Sequence, residues 1–154
     1  MIGLIFDVAL LVVVAALLYS FVRGGGPEKV VAGACLLWLA LDPAYHWLFG
    51  NSHFSQLDAG HFLMDFGLLG AILSISLQAN RLWPLVAAAL QLVAIMGHMN
   101  PFLALDGMRL AYWAVTQLPF YLTVLCVLLG TISYRKRLQQ PLPIRDWRRR
   151  AIIS

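Results

Sequence analysis

Long apolar segments separated by short polar stretches dominate this sequence. Five of them stand out, at about residues 2–22, 30–49, 59–78, 82–99 and 109–132. Each has roughly the ~20 residues that an α-helix needs to cross the hydrocarbon core of a bilayer, the fourth being the shortest. The alternation of apolar and polar residues that is typical of strands is absent. The pattern predicts an all-α integral membrane protein with five transmembrane helices in a single bundle.

The composition agrees with a membrane location. Hydrophobic residues make up 61% of the 154 residues and charged residues 12%, against about a quarter charged in a typical soluble domain. The first apolar segment has no basic residue before it and is longer than a signal-peptide core, so we expect an uncleaved anchor. We place the transmembrane bundle at residues 1–134 and a basic cytoplasmic tail at residues 135–154.

Basic residues fall almost entirely on one side of the predicted bundle. Arg23, Lys29 and Arg81 lie in the turns after segments one and three, seven more follow segment five, and only Arg109 falls on the other side. Because basic loops stay in the cytoplasm, this predicts a bacterial inner-membrane protein with its N-terminus outside and its C-terminus inside. The net charge of +4 then reflects this inner face and not nucleic-acid binding. The tail residues that we expect to bind anionic headgroups or a partner are Arg135, Lys136, Arg137, Arg148, Arg149 and Arg150.

The second and third segments carry the same two polar residues in mirrored order. Asp42 and His46, and likewise His61 and Asp65, are spaced i, i+4 and share one helix face. A short loop joins the segments into an antiparallel hairpin, in which we expect Asp42 level with Asp65 and His46 level with His61. Ionisable groups at membrane depth are costly and indicate a functional site by default. Further residues that could join this outer-half cluster are Asp7, Met96, His98, Met99 and Arg109.

Three interpretations of the cluster stay open. Interhelical hydrogen bonds between His and Asp would fix the packing, contributing about 0.6–2 kcal/mol each. Two facing carboxylates could share a proton, which would make a proton or small-ligand site. Two histidines with two aspartates could bind zinc, iron or manganese, and the Met96, His98 and Met99 side chains would suit copper. Haem b held by His46, His61 or His98 is a further alternative that nothing in the sequence specifically favours.

Sequence motifs of common enzyme classes are absent: there is no HExxH, GxSxG, phosphate-binding loop or CxxCH. In layout the chain resembles the emopamil-binding (EXPERA) group of sterol isomerases and lipid-binding membrane proteins. The resemblance lies in the five spans, the inner C-terminus and the run ALQLV at residues 89–93. That group's catalytic pattern uses His and Glu, whereas the only Glu here is Glu28 at the inner turn. No active-site residue is therefore transferred.

These patterns favour a small accessory or structural subunit of a bacterial inner-membrane complex, without catalytic activity of its own. Its His/Asp cluster would fix the bundle or a partner interface. The expected partners are the lipid bilayer and either another membrane protein or a second copy of the chain. The alternative is a metal- or lipid-dependent membrane enzyme, or a lipid-binding protein, that uses Asp42, His46, His61 and Asp65 near the outer leaflet.

Overall fold

Five helices form the framework of the chain. The computed structural model describes residues 2–50, 59–98, 109–141, 143 and 145–148, and the side chains of all these except residues 2–6 and 109–113. In chain order the helices are α1 (Ile2–Arg23), α2 (Gly26–Phe49), α3 (Ala59–Gln78), α4 (Trp83–Gly97) and α5 (Arg109–Arg137). Over these residues there is no strand, and an isolated β-bridge joins Ala79 to Trp147. The prediction of an all-α fold with five helices is confirmed.

Local signals explain where α2 begins and ends. Gly25 precedes the helix in an extended conformation, and Pro27 and Glu28 occupy its first turn, where a proline and an acid are favoured. At the other end Gly50 has a φ of +82°, and its backbone N–H donates to the His46 carbonyl at 3.0 Å. This φ lies in a region that favours glycine, so the residue type suits the helix end.

The helices pack in chain order, and α5 closes the bundle by packing against α1 and α2 as well as α4. Small residues lie where the helices approach each other, among them Ala32, Ala87 and Ala88. Small side chains let helix backbones come close together. The larger members of the buried core are Val13, Leu17, Val31, Leu68, Ile72, Phe120, Val124 and Val127.

The outer surface of the bundle carries many large apolar side chains. Leu11 of α1, Leu63 of α3 and Leu129 of α5 are 68%, 70% and 53% exposed. Two segments, Ala59–Gln78 and Ala114–Arg137, are long and apolar enough to cross a membrane, and Trp83–Gly97 is a shorter apolar helix. Within the part of the chain that the structure describes, two helices could therefore span a bilayer on length and composition.

Part of the chain after α5 returns to the turn between α3 and α4. The Asn80 backbone N–H donates to the Asp146 carbonyl at 3.0 Å, and the Arg148 backbone N–H donates to the Gln78 carbonyl at 2.8 Å. Arg148 also donates from Nε to the Ala79 carbonyl at 3.0 Å. Residues 145–148 are thus held against the end of the bundle by backbone hydrogen bonds. Because α5 continues to Arg137, the first residues of the predicted tail are helical.

Candidate functional site

The polar residues of α2 and α3 face each other, in a register one helical turn away from the predicted one. His61 Nε2 lies 2.8 Å from Asp42 Oδ1, and the Trp38 indole N–H donates to Asp65 Oδ1 at 2.9 Å. Asp42 therefore lies level with His61, and Trp38, one turn back along α2, lies level with Asp65, one turn further along α3. The predicted pairing of the two carboxylates is not formed. Periodicity tells which residues share a helix face but not how far two helices slide along each other.

Three of the four predicted residues, Asp42, His46 and His61, form one group. We call it the outer triad, after the side of the bundle on which the charge pattern predicts it. Both imidazole Nε2 atoms face Asp42 Oδ1, at 2.8 Å from His61 and 3.7 Å from His46. One nitrogen or oxygen atom of each residue lies within 4.8 Å of the others, which makes the triad a group that could hold a metal ion. The triad is only partly buried, since 36% of the Asp42 side chain and 32% of the His46 side chain are exposed.

Neighbouring groups orient the two imidazoles of the triad. His46 Nδ1 lies 3.1 Å from the Gly50 carbonyl oxygen, and because a carbonyl only accepts, this ring nitrogen is the donor. The Tyr45 ring contacts His61 edge to face, with centroids 5.1 Å apart. Gly60 makes room for that ring, since a Cβ at this position would overlap the Tyr45 side chain. The outer ends of α2 and α3 therefore present the triad in a fixed arrangement.

The fourth predicted residue, Asp65, belongs to a second group, the buried clasp of Trp38, Asp65 and His98. Asp65 Oδ1 accepts from Trp38, and His98 Nε2 lies 2.9 Å from Oδ2. Asp65 and His98 are 5% and 4% exposed. Gln91 of α4 donates to the Asp65 backbone carbonyl at 3.5 Å. The clasp thus links α2, α3 and the end of α4 through a single carboxylate.

Among the described side chains, Asp7, Met96, Arg135 and Lys136 stand apart from both groups. Asp7 is exposed on α1. Met96 is 65% exposed on α4 while His98 turns inward to Asp65, so these two do not form the expected copper-binding pair. Arg135 and Lys136 are exposed at the end of α5. The expected residues that lie outside the described residues or side chains are Met99, Arg109, Arg149 and Arg150.

A third polar group, which the sequence did not predict, lies at the opposite end of the bundle. Arg81 donates from Nη1 to Glu28 Oε1 at 2.7 Å and from Nη2 to Asp146 Oδ1. Trp83 donates to the same Glu28 oxygen at 3.0 Å, and the Gly26 backbone N–H donates to Asp146 Oδ2 at 2.8 Å. We call Glu28, Arg81 and Asp146 the inner ion network.

The centre of the inner ion network is buried: Glu28 is fully buried and Arg81 is 6% exposed. The Arg81 guanidinium also lies 4.9 Å from the centre of the Tyr134 ring of α5. One sequence signal could have found this network. Glu28 and Asp146 are the only two acids on a side of the predicted bundle that is otherwise basic, so each needed a cationic partner there.

No protein-family model matches this sequence, and no curated protein and no solved structure matches it either. The resemblance to the emopamil-binding group therefore stays one of layout. The function of the chain has to be inferred from its geometry.

Proposed function

We propose that the chain is a five-span accessory subunit of a bacterial inner-membrane complex, built around a rigid bundle. The observation that carries this proposal is the buried clasp. Asp65 is an ionisable group in an apolar bundle, and both of its carboxylate oxygens are engaged by protein groups from other helices. An intramembrane carboxylate used in this way contributes to packing between helices. This matches a structural role for this part of the His/Asp cluster.

The dimensions and surface of the bundle support a membrane location. From Gly26 to His46 the helix α2 advances about 30 Å at ~1.5 Å per residue, close to the thickness of the hydrocarbon core. The exposed leucines of α1, α3 and α5 offer the apolar exterior that lipid requires. Arg135 and Lys136 are exposed beyond the end that holds the inner ion network. Because basic residues favour the cytoplasm, we assign that end to the inside and the outer triad to the outside.

An accessory role requires that one face of the bundle contact a partner, either another membrane protein or a second copy of the chain. α1, α3 and α5 all expose apolar side chains, so each supplies positions where a probe can be introduced. On α3 a Cβ added at Gly67 would meet no atom within 4 Å, so a side chain there should leave the bundle intact. Leu11 and Leu129 provide comparable exposed positions on α1 and α5.

Topology is tested by single cysteines in a Cys35→Ala, Cys126→Ala background. Phe49 is 75% exposed at the triad end of α2, and Gln139 is exposed just beyond α5. In intact spheroplasts, a membrane-impermeant thiol reagent should label Phe49→Cys and not Gln139→Cys. Permeabilisation should then allow labelling of both. The opposite labelling pattern, or equal labelling before permeabilisation, would contradict the proposed orientation.

The accessory role is tested by photo-cross-linking in native membranes. A photoreactive amino acid is placed at Leu11, Gly67 or Leu129, one position at a time. A subunit should give one adduct of defined mass from one face, and the other two faces should give only lipid adducts. A chain that forms no protein adduct from any face, and that runs as a monomer after mild extraction, is not a subunit of a complex.

A further inference from the structure

We propose that the outer triad binds a divalent transition-metal ion, and that Zn²⁺ is the ion its donors fit best. This goes beyond the structural role of the clasp, and neither requires the other. Two imidazole nitrogens and one carboxylate oxygen form a donor set that is common for zinc. His46 and Asp42 lie one turn apart on α2 and His61 lies on α3, so an ion would join the outer ends of two helices.

The spacing of the triad is close to what zinc needs. With bonds of ~2.0–2.1 Å, the ligand atoms of a tetrahedral zinc lie roughly 3.3 Å apart. The two distances to Asp42 Oδ1, 2.8 Å from His61 and 3.7 Å from His46, fall on either side of that value. All three ligand atoms are within 4.8 Å of one another. Shifts of about 0.5 Å would bring the two distances to Asp42 Oδ1 to this value, and the two imidazole nitrogens, less than 4.8 Å apart, would approach each other by at most about 1.5 Å. On binding the ion, His61 would carry its ring proton on Nδ1 instead of Nε2.

The hydrogen bond from His46 Nδ1 leaves the other ring nitrogen, Nε2, able to bind a cation. Because Nδ1 donates to the Gly50 carbonyl, the neutral ring has its lone pair on Nε2, the atom that faces Asp42 Oδ1 at 3.7 Å. Two acceptor atoms that face each other gain from a cation placed between them. A histidine whose other nitrogen is held by a carbonyl is the usual arrangement around a bound metal, since it fixes the ring and its tautomer.

The outer triad and the buried clasp differ in how far their side chains are exposed, and this difference distinguishes a binding site from a packing contact. The Asp42 and His46 side chains of the triad are 36% and 32% exposed, so their donor atoms are not sealed inside the bundle. Asp65 and His98 of the clasp are almost fully buried, and both oxygens of Asp65 already have partners. The chain therefore contains two His/Asp groups of different character: the outer triad is suited to binding a metal ion, and the buried clasp is suited to packing between helices.

The test is zinc binding by the purified full-length chain in detergent, prepared with an affinity tag that contains no histidine and freed of metal with a chelator. Calorimetric titration with Zn²⁺ should give one ion per chain. Co²⁺ should give the visible absorption of a tetrahedral nitrogen–oxygen site. The variants His46→Ala and His61→Ala should each weaken Zn²⁺ binding by about 100-fold or more, because loss of a ligand exceeds the 10–100-fold effect of its neighbours.

Two control variants keep the test decisive. Asp7→Asn removes an exposed carboxylate of α1 and should leave the affinity for Zn²⁺ within about twofold of the unmodified chain. His98→Ala removes a buried imidazole, and a sample that remains helical by circular dichroism should still bind one Zn²⁺. An unmodified chain that binds no Zn²⁺ would overturn the proposal. So would binding that survives in the His46→Ala, His61→Ala double variant, since the ion would then be held elsewhere.

Discussion

His98, directly after α4, contacts Asp65, in the second turn of α3: His98 Nε2 lies 2.9 Å from Asp65 Oδ2. Both residues are almost fully buried, at 4% and 5% exposure, so water has little access to replace this contact. Trp38 of α2 holds the other carboxylate oxygen of Asp65 at 2.9 Å. A buried polar group that loses its partner costs the full desolvation penalty. The stability of the outer half of the bundle should therefore depend on Asp65.

Replacing Asp65 with Asn should destabilise the folded bundle. Asparagine carries no charge and keeps one acceptor oxygen in place of two, so its NH₂ group must face either the Trp38 N–H, from which it cannot accept, or His98, which would then have to change its tautomer. We expect a loss of about 1–3 kcal/mol in the free energy of unfolding, measured by denaturant titration in detergent. The matched control is Asp7→Asn, an exposed carboxylate on α1, which should change stability by less than about 0.5 kcal/mol. Equal stability of the two variants would contradict the role of the clasp.

Replacing Gly60 with Ala should disturb the outer ends of α2 and α3. A Cβ there would overlap the Tyr45 ring, which packs against His61. We expect a lower unfolding temperature, and weaker Zn²⁺ binding because His61 would turn. The control is Gly67→Ala, where a Cβ meets nothing within 4 Å. This control should be neutral or more stable by up to about 1 kcal/mol, because alanine favours helix over glycine. If the two variants have the same unfolding temperature and the same affinity for Zn²⁺, the position of the Tyr45 ring does not require glycine at residue 60.

The helices could largely be predicted from the apolar pattern, and the differences have physical causes. The third apolar segment, at residues 59–78, coincides with α3 (Ala59–Gln78). α5 continues past the end of its apolar segment to Arg137, because basic residues stabilise the last turn of a helix. α2 begins at Gly26, ahead of its apolar segment, because Pro27 and Glu28 suit a first turn even though they are not apolar.

The polar contacts could be predicted only in part. The i, i+4 spacing correctly placed Asp42 and His46 on one face, but the pairing across the hairpin depends on how the helices slide and rotate against each other. That is decided by packing of the whole bundle, such as the stacking of Trp38 on Phe120 at 4.8 Å. Trp38 was missed as a partner because an indole counts as apolar, although its N–H needs an acceptor when buried.

Replacing Arg81 with Ala should be the most damaging of these changes. It leaves Glu28 fully buried without its cation, and removing one partner of a buried pair costs about 3–5 kcal/mol. We expect a large loss of folded protein after extraction, measured by size-exclusion chromatography. Arg23→Ala, at an exposed site at the end of α1, is the control and should leave the yield unchanged.

A second variant shows whether the uncompensated charge is the cause. In the Arg81→Ala background, Glu28→Gln removes the buried negative charge while Trp83 can still donate to the amide oxygen. This double variant should recover part of the lost stability, since replacing both partners of a buried pair by neutral groups is far less costly than breaking the pair. No recovery would mean that the Arg81 side chain acts through packing on Tyr134 rather than through charge.

Replacing Asp146 with Ala should loosen the attachment of residues 145–148 to the bundle. Asp146 accepts from both Arg81 and the Gly26 backbone N–H, and without it the segment keeps its hydrogen bonds to the turn between α3 and α4 and the contact of the Trp147 ring with Gly26. Losing about 1 kcal/mol of local stability raises the open population roughly fivefold, and proteolysis follows that population. Tryptic cleavage after Arg148 should therefore be about fivefold faster in inside-out vesicles. The exposed Gln140→Ala variant is the control, and unchanged cleavage in Asp146→Ala would show that the backbone hydrogen bonds hold this segment without the ion network.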